Sequence, residues 1–451
     1  SVHPGIGNGF MTKELSNYSI ENKMANLGRL LSKEDFNSKN QVVGKLVNNY
    51  KENLDAIDEI GVTQETFRNS RRYTQDVWNE NQDVIGYYVS LSSKVNYPSV
   101  IESTDRIIGN NKVTTYFDKH DFLTGQVLES RIYSSNGKAF KNKIIPAYGK
   151  YTTMGSKVDD NSNRNMLTQS AGIINYMYKN NQWKEVGATI KTWNNDWEYR
   201  SYDGSKEIPT NENEMIWRKH KNYLWNGNTN NDGTYIGFNS ENEDNFQWEL
   251  GANQINSDWR EVSETTLYNH FSNPLEVKDI NGNYAASKMT GGGKANERVL
   301  VSSNARYTEM YYSGAEDGTS IPFLFSGEVG KGAIELDNIT VSEEKVHTGK
   351  KSLVIGSTAN GFIVEMSRNE HRSGKYKVSV WVEKLNENKA RISFDGTIKH
   401  FNGEKVYAGD WVQLNHYEDL LDVQDYTIGI RSSSGLIYAD DFRLHPISSS
   451  M

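Results

Sequence analysis

Along the last third of the chain, apolar residues fall at every second position. The segments 351–355, 376–382, 390–394, 426–430 and 436–446 alternate in this way and are parted by Gly, Asn and Asp. A period of two sends successive side chains to opposite faces, so these segments predict half-buried antiparallel strands, and strands this close together predict a two-sheet sandwich. We assign the sandwich to 318–446 as an autonomous unit, with Trp381 and Trp411 in its core because each sits in an apolar alternation. Upstream, 84–91, 113–117, 127–133 and 142–145 have strand character and are separated by turn formers that include Thr124-Gly125 and Asn136-Gly137. Asn-Gly between two such runs is a strong hairpin signal, so this region predicts a meander of hairpins. The first 75 residues differ. Val42, Val43, Leu46, Val47, Tyr50, Leu54, Ile57 and Ile60 recur at three and four, and Gly61 follows as a stop, which predicts a helix packed on its own domain. Leu27, Leu30 and Leu31 predict a second helix over 24–31.

Composition agrees with a β-rich, turn-rich chain. Its 451 residues exceed the roughly 250–300 at which single cores stop growing, so several domains are expected. The pattern divides them into a helical segment at 1–82, a β-rich body at 83–317, the sandwich at 318–446, and a linker at 447–451 leading into a continuation. Both ends read as cut from something longer. Mean hydropathy is -0.74, with Asn, Ser, Gly, Lys and Tyr in place of a like-charged block. There is no cysteine, so disulfides, thiolate nucleophiles and Cys-ligated metals are excluded, and an exported protein is favoured. A net charge of -8 without a basic cluster disfavours a nucleic-acid partner. No run of about 18 apolar residues is present, so no helical membrane span is expected. Seven tryptophans between Trp183 and Trp259 read as packing between sheets in preference to a sugar cleft.

Catalytic chemistry has little to stand on. No two of the nine histidines have the spacing of a zinc-hydrolase helix, and neither a nucleophile elbow nor a phosphate loop occurs. The paired carboxylates Glu343-Glu344 and Asp440-Asp441 are adjacent, so in a strand each pair points to opposite faces. The expectation is that the chain is not an enzyme. Glycan contact, where present, should fall to an aromatic beside a sandwich loop, and Phe362, Phe401 and Tyr407 neighbour Gly or Asn turns.

Three sets of residues carry resemblances. His347 to Ser352, the strand with Trp381, Gly409 to Trp411, and a closing strand with Asp440-Asp441 resemble, in that order, the jelly-roll carbohydrate-binding modules. The passages 116–137 and 267–284 look like degenerate tyrosine-aspartate (YD) repeats of the RHS (rearrangement hotspot) type, the second through its turn at 279–284. The phrases at 145–148, 164–169, 217–220, 305–317 and 438–446 are similar to stretches of very large secreted RHS-like proteins of Bacteroidota-type bacteria.

These resemblances imply a mainly β fold: an RHS-like sheet body, a short helical start and a C-terminal jelly roll. They also imply a structural or adhesive section of a secreted or outer-surface protein exported by the type IX route. Its partners would be the rest of its own longer chain, the bacterial export machinery during secretion, and surface glycans. The jelly-roll likeness further implies a structural calcium held by Glu335 or Asp337, a carbonyl near 348–350, and Asp441. The alternative is a calcium-free module in which Asp441 accepts hydrogen bonds. The alternative to the scaffold as a whole is a secreted glycan-active enzyme with an accessory carbohydrate-binding module.

Overall fold

The computed structural model describes residues 17–51, 63–75, 84–200, 206–207, 215–249, 254, 256–289, 299–316, 339–357 and 359–451. The protein is mainly β, as the alternation predicts. It divides into two compact units, the first from 1–190, 225–247 and 253–258, the second from 191–224, 248–252 and 259–451.

The first unit carries β1 (Asn17–Asn22), β2 (Ser32–Phe36), β3 (Val42–Tyr50), β4 (Thr63–Gln75), β5 (Val84–Asn96), β6 (Ile101–Ile108), β7 (Asn111–His120), β8 (Val127–Tyr133), β9 (Ala139–Pro146), β10 (Ser170–Lys179) and β11 (Gln182–Asn194). Strands β2, β3 and β6 to β11 follow one another as an antiparallel meander, while β5 lies between β4 and a parallel β1. The turns explain the meander. From Ser134 to Lys138 the Ser134 N–H donates to the Lys138 carbonyl (2.9 Å), the Gly137 N–H returns to the Ser134 carbonyl (3.0 Å), and Gly137 has φ 79°. Asn37 to Gln41 repeats this pattern with Asn40 at φ 56°, and the Asn37 Oδ1 also accepts the N–H groups of Lys39 and Gln41. Residues that tolerate positive φ at the fourth position thus set the hairpin geometry. Between β10 and β11 the two-residue turn Asn180-Asn181 has positive φ at both positions, which matches the twist of the strands it joins.

The helical start is corrected. Val42–Tyr50 is a strand flanked by β2 and β6, and 52–60 lies outside the described residues. A strand covered in part on both faces has no need of strict alternation, so adjacent pairs such as Val42-Val43 and Leu46-Val47 imitate a helical spacing. Over 24–31 there is a single 3-10 turn at Met24–Asn26, and Leu27, Leu30 and Leu31 are exposed.

The second unit begins with β12 (Tyr199–Arg200), β13 (Lys206–Glu207), β14 (Arg218–Trp225), β15 (Trp259–Tyr268), β16 (Pro274–Asp279), β17 (Tyr284–Met289) and β18 (Val299–Ser303), of which β14 to β18 form a meander. The five-residue turn recurs twice here, at Asn269 to Asn273 and at Asp279 to Asn283. In both, the first side chain accepts the backbone N–H groups of the third and fifth residues. Trp197, Trp217 and Trp259 are buried, as is Trp225 in the first unit, in keeping with packing as their role.

The sandwich follows: β19 (Tyr311–Ser313), β20 (Ile339–Ser342), β21 (Ser352–Ile355), β22 (Asn360–Met366), β23 (Gly374–Glu383), β24 (Ala390–Phe394), β25 (Thr397–Lys399), β26 (Val406–Ala408), β27 (Trp411–Leu420), β28 (Tyr426–Ser432) and β29 (Ile437–Pro446). One sheet runs β20-β21-β29-β23-β27-β26 with β19 also on β29, and the other runs β22-β28-β24-β25. Leu353, Val380, Val382, Ile392, Leu414, Ile428, Ile430 and Phe442 fill the space between them. Because β19 pairs with the closing strand, the sandwich includes residues upstream of 318. The tail is no free linker: the Ser450 N–H donates to Asn304 Oδ1 (2.7 Å), and Met451 packs on the cluster around Leu267 and Leu275.

Candidate functional site

Strand β23 commits Tyr376, Val378, Val380 and Val382 to the core. Strand parity therefore turns Lys377, Ser379, Trp381 and Glu383 to the outer face. This corrects the core assignment of both tryptophans: Trp381 is half-buried on that face, and Trp411, paired with Glu383 and against the His347 ring, is buried on the same face beside Val412 and Leu414, which point into the core. Register then builds three cross-strand rows from β29 through β23 to β27: His445, Lys377 and Tyr417; Arg443, Ser379 and Asn415; Asp440, Trp381 and Gln413. In the middle row two polar atoms are buried and unsatisfied by any described residue, the Asn415 Oδ1 and the Arg443 Nε. Asn415 is only 4% exposed, and its amide donates to the Glu404 carbonyl (2.6 Å). The Arg443 guanidinium lies 5.8 Å from the centre of the Tyr312 ring.

The loop before β21 covers one end of this face. The His347 ring stacks on Trp381 at 4.0 Å with 15° between planes and meets Trp411 edge-on at 5.6 Å. Lys345 pairs with Glu383 (2.5 Å) and lies over the Tyr438 ring. The acidic pair on β29 holds the loop down. Asp441 has φ 47°, a bulge that breaks the alternation, so both carboxylates reach the same loop instead of opposite faces. Asp440 accepts the N–H groups of His347 (2.8 Å), Thr348 (3.2 Å) and Asp441 (2.7 Å). Asp441 accepts from His347 Nδ1 (2.6 Å), the Thr348 hydroxyl (2.8 Å) and the Tyr312 hydroxyl (2.9 Å). Glu316 adds a third anchor by accepting the N–H groups of Lys350 and Lys351. Burial, and then the charge of Asp441, push the Asp440 carboxyl up to about 7 against the pull of its backbone donors.

A calcium ion needs six to eight oxygens. Donors of the chain itself already occupy the Asp441 carboxylate, and no group of three acidic or imidazole side chains among the described residues is arranged to hold a metal. Glu335 and Asp337 lie outside the described residues. The described residues alone do not make a calcium shell.

The three aromatics picked as glycan contacts separate. Phe362 is 2% exposed and stacks on Phe442 at 5.4 Å in the core, so it is not a surface aromatic. Its φ of 51° turns the chain at the start of β22, and the side chain enters the sandwich. Phe401 is half-buried against the core near His416. Tyr407 is exposed on the edge strand β26, with the Lys384 ammonium 5.4 Å from its ring centre. Sequence reasoning missed the outer-face set Ser379, Trp381, Asn415 and Arg443. The signal was present, since three valines at 378, 380 and 382 fix the parity of Trp381.

No protein-family model matches the chain, and no curated protein matches it. Among solved structures it is similar to the CBM22-1 xylan-binding domain of Paenibacillus barcinonensis Xyn10C, at TM-score 0.19 and 16% identity over 24% of this chain and 80% of that one. It is also similar to the carbohydrate-binding module CBM6cm-2 of Cellvibrio mixtus lichenase 5A in complex with cellotriose, at TM-score 0.18 and 15% identity over 24% of this chain and 86% of that one. A third similarity is to the TcdB2-TccC3-Cdc42 structure, at TM-score 0.22 and 9% identity over 70% of this chain and 19% of that one.

Proposed function

We propose that this chain is a non-catalytic, glycan-binding section of a larger bacterial surface protein. The observation that carries the reading is the outer face of the β23 sheet, where Trp381 lies one row from the unsatisfied Asn415 Oδ1 and Arg443 Nε. A sugar ring offers a C–H face that stacks on an indole and an edge of hydroxyls that both donate and accept hydrogen bonds. The half-buried side chains of Trp381, Lys377 and Arg443 are the groups of this face that a ligand can meet, an indole beside two cationic donors. Against catalysis stands the use of Asp440 and Asp441 as loop anchors, with their oxygens turned to backbone and side-chain donors. The wider reading, a structural or adhesive part of an RHS-like protein leaving by the type IX route, draws support from the recurrence of one five-residue turn through both strand meanders.

The test is affinity electrophoresis of the full chain against a polysaccharide panel, with a reducing-sugar assay in parallel. The expected result is retardation that Trp381→Ala and Asn415→Ala both weaken, with no release of reducing ends. Binding unaffected by Trp381→Ala would remove the face from consideration, and release of reducing ends would favour the enzyme.

A further inference from the structure

The charges on this face are out of balance. Glu383 is engaged by Lys345 and by the Asn386 amide (2.8 Å), and Asp440 and Asp441 by the loop at 347–348. Asp419, exposed, stands opposite Lys375 at the far end of the β23–β27 ladder. Lys377 and Arg443 remain, and among the described residues neither has a carboxylate partner. Arg443 lies in the row of Ser379, and Lys377 lies in the next row with His445, whose imidazole is held below its usual range by burial first and then by the charges of Lys377 and Arg443. The Arg443 Nε is buried without a hydrogen-bond partner, in a chain whose net charge is -8.

Resting on the glycan reading above, we infer that the ligand is an anionic glycan, with Arg443 and Lys377 as the residues that select its carboxylate or sulfate. Successive same-face rows of a strand are roughly 7 Å apart, about the span of one pyranose with its exocyclic group. A sugar stacked on the Trp381 face opposite His347 therefore brings a C5 carboxylate or a sulfate ester over the row of Arg443, Ser379 and Asn415. The guanidinium donates to that oxyanion, and Lys377, one row further on, adds a second positive charge. A neutral sugar would leave both cations without a counter-charge.

The experiment uses the full chain with three soluble probes: polygalacturonate, dextran sulfate and a neutral xylan. Affinity is measured by calorimetry at low and moderate salt for wild type, Arg443→Gln, Arg443→Lys, Lys377→Gln and Trp381→Ala, each first shown to melt as wild type does. The expected result is tight, salt-sensitive binding of one or both anionic polymers and weak binding of xylan. Arg443→Gln should weaken the anionic complex roughly ten- to a hundredfold, the range for a lost hydrogen bond to a charged group, and Arg443→Lys by less. Whether polygalacturonate or dextran sulfate binds identifies the oxyanion. Equal binding of xylan and the anionic polymers, unchanged by Arg443→Gln yet lost in Trp381→Ala, overturns the charge selection and keeps the glycan site. Binding of an anionic polymer that survives Trp381→Ala intact, or absence of binding to all three probes, overturns the site itself.

Discussion

Replacing Arg372 should harm the protein more than replacing its buried partner Glu309, although the two share one ion pair. Glu309 ends the short turn after β18, is fully buried, and accepts four hydrogen bonds. These come from the Arg306 N–H (3.1 Å), the Arg372 N–H (2.9 Å), and the Arg372 Nε and Nη2 (both 2.7 Å). The Arg372 side chain is 47% exposed. In Arg372→Met the carboxylate stays buried with two backbone donors and no counter-charge, a change that typically costs about 3–5 kcal/mol, with the lower end expected because Arg372 is already partly hydrated. In Glu309→Gln the amide keeps the volume and an acceptor, and the freed guanidinium turns to water, so about 1–2 kcal/mol is expected. Urea unfolding followed by tryptophan fluorescence measures both. Burial by itself would raise the Glu309 carboxyl, but the hydrogen bonds and charge of Arg372 hold it below the ordinary 4.5. A folded-state value depressed in this way stabilises the protein above the ordinary value, and the contribution is lost as pH falls through the folded-state value. The gap between wild type and Arg372→Met should therefore narrow on acidification. Equal losses in the two variants, or a gap that stays constant with pH, would refute the reasoning.

Three further outcomes follow from the loop clasp and the turns. Gly349 has φ 69°, and a Cβ there would collide with the Glu316 carboxylate, so Gly349→Ala should lower the melting temperature more than Gly282→Ala, where φ is 80° but the space is open and about 1 kcal/mol of strain is the only penalty. Asp440 titrates near 7 in the folded chain against an ordinary 3.8, so the folded state binds the extra proton between those values and stability falls as pH rises through that window. Thermal melts from pH 4 to 8 should show this decline in wild type and a flatter profile in Asp440→Asn. Because donors of the chain saturate Asp441, the melting temperature should be the same with EGTA as with millimolar calcium; a clear rise with calcium would restore Asp441 as a ligand beside Glu335 or Asp337.

What could be read from the sequence was local. Turn chemistry at Asn136-Gly137 and at Asp279 to Asn283 declared the hairpins because a residue at positive φ and an Asx acceptor act within five positions. The sandwich was legible for a similar reason, since the alternation in β23 and β28 is strict where one face is fully buried. The strand β3 was not legible, because partial cover on both of its faces blurs its period. Phe362 escaped because a single positive φ beside Gly361 turned its ring inward, which residue type alone does not announce. The acidic pair escaped for the same kind of reason, a bulge at Asp441 that reverses the alternation on which the opposite-face expectation rests.

The outer face of β23 lies between these cases. Its parity was fixed by the valines at 378, 380 and 382, so Trp381 could have been turned outward from the sequence. Its neighbours could not, because Arg443 and Asn415 join Ser379 only through pairings with β29 and β27 that span some 60 and some 40 residues of chain. Those long-range pairings bring an indole, an amide oxygen and a guanidinium within two rows of one sheet. The jelly roll supplies rigidity for that arrangement, with 0% exposure at Val380, Val382 and Val412 beneath it. Groups held on paired strands over a packed core have little conformational entropy left to lose, which is the physical advantage the proposed site would draw from presenting these three groups on a sheet in preference to a loop.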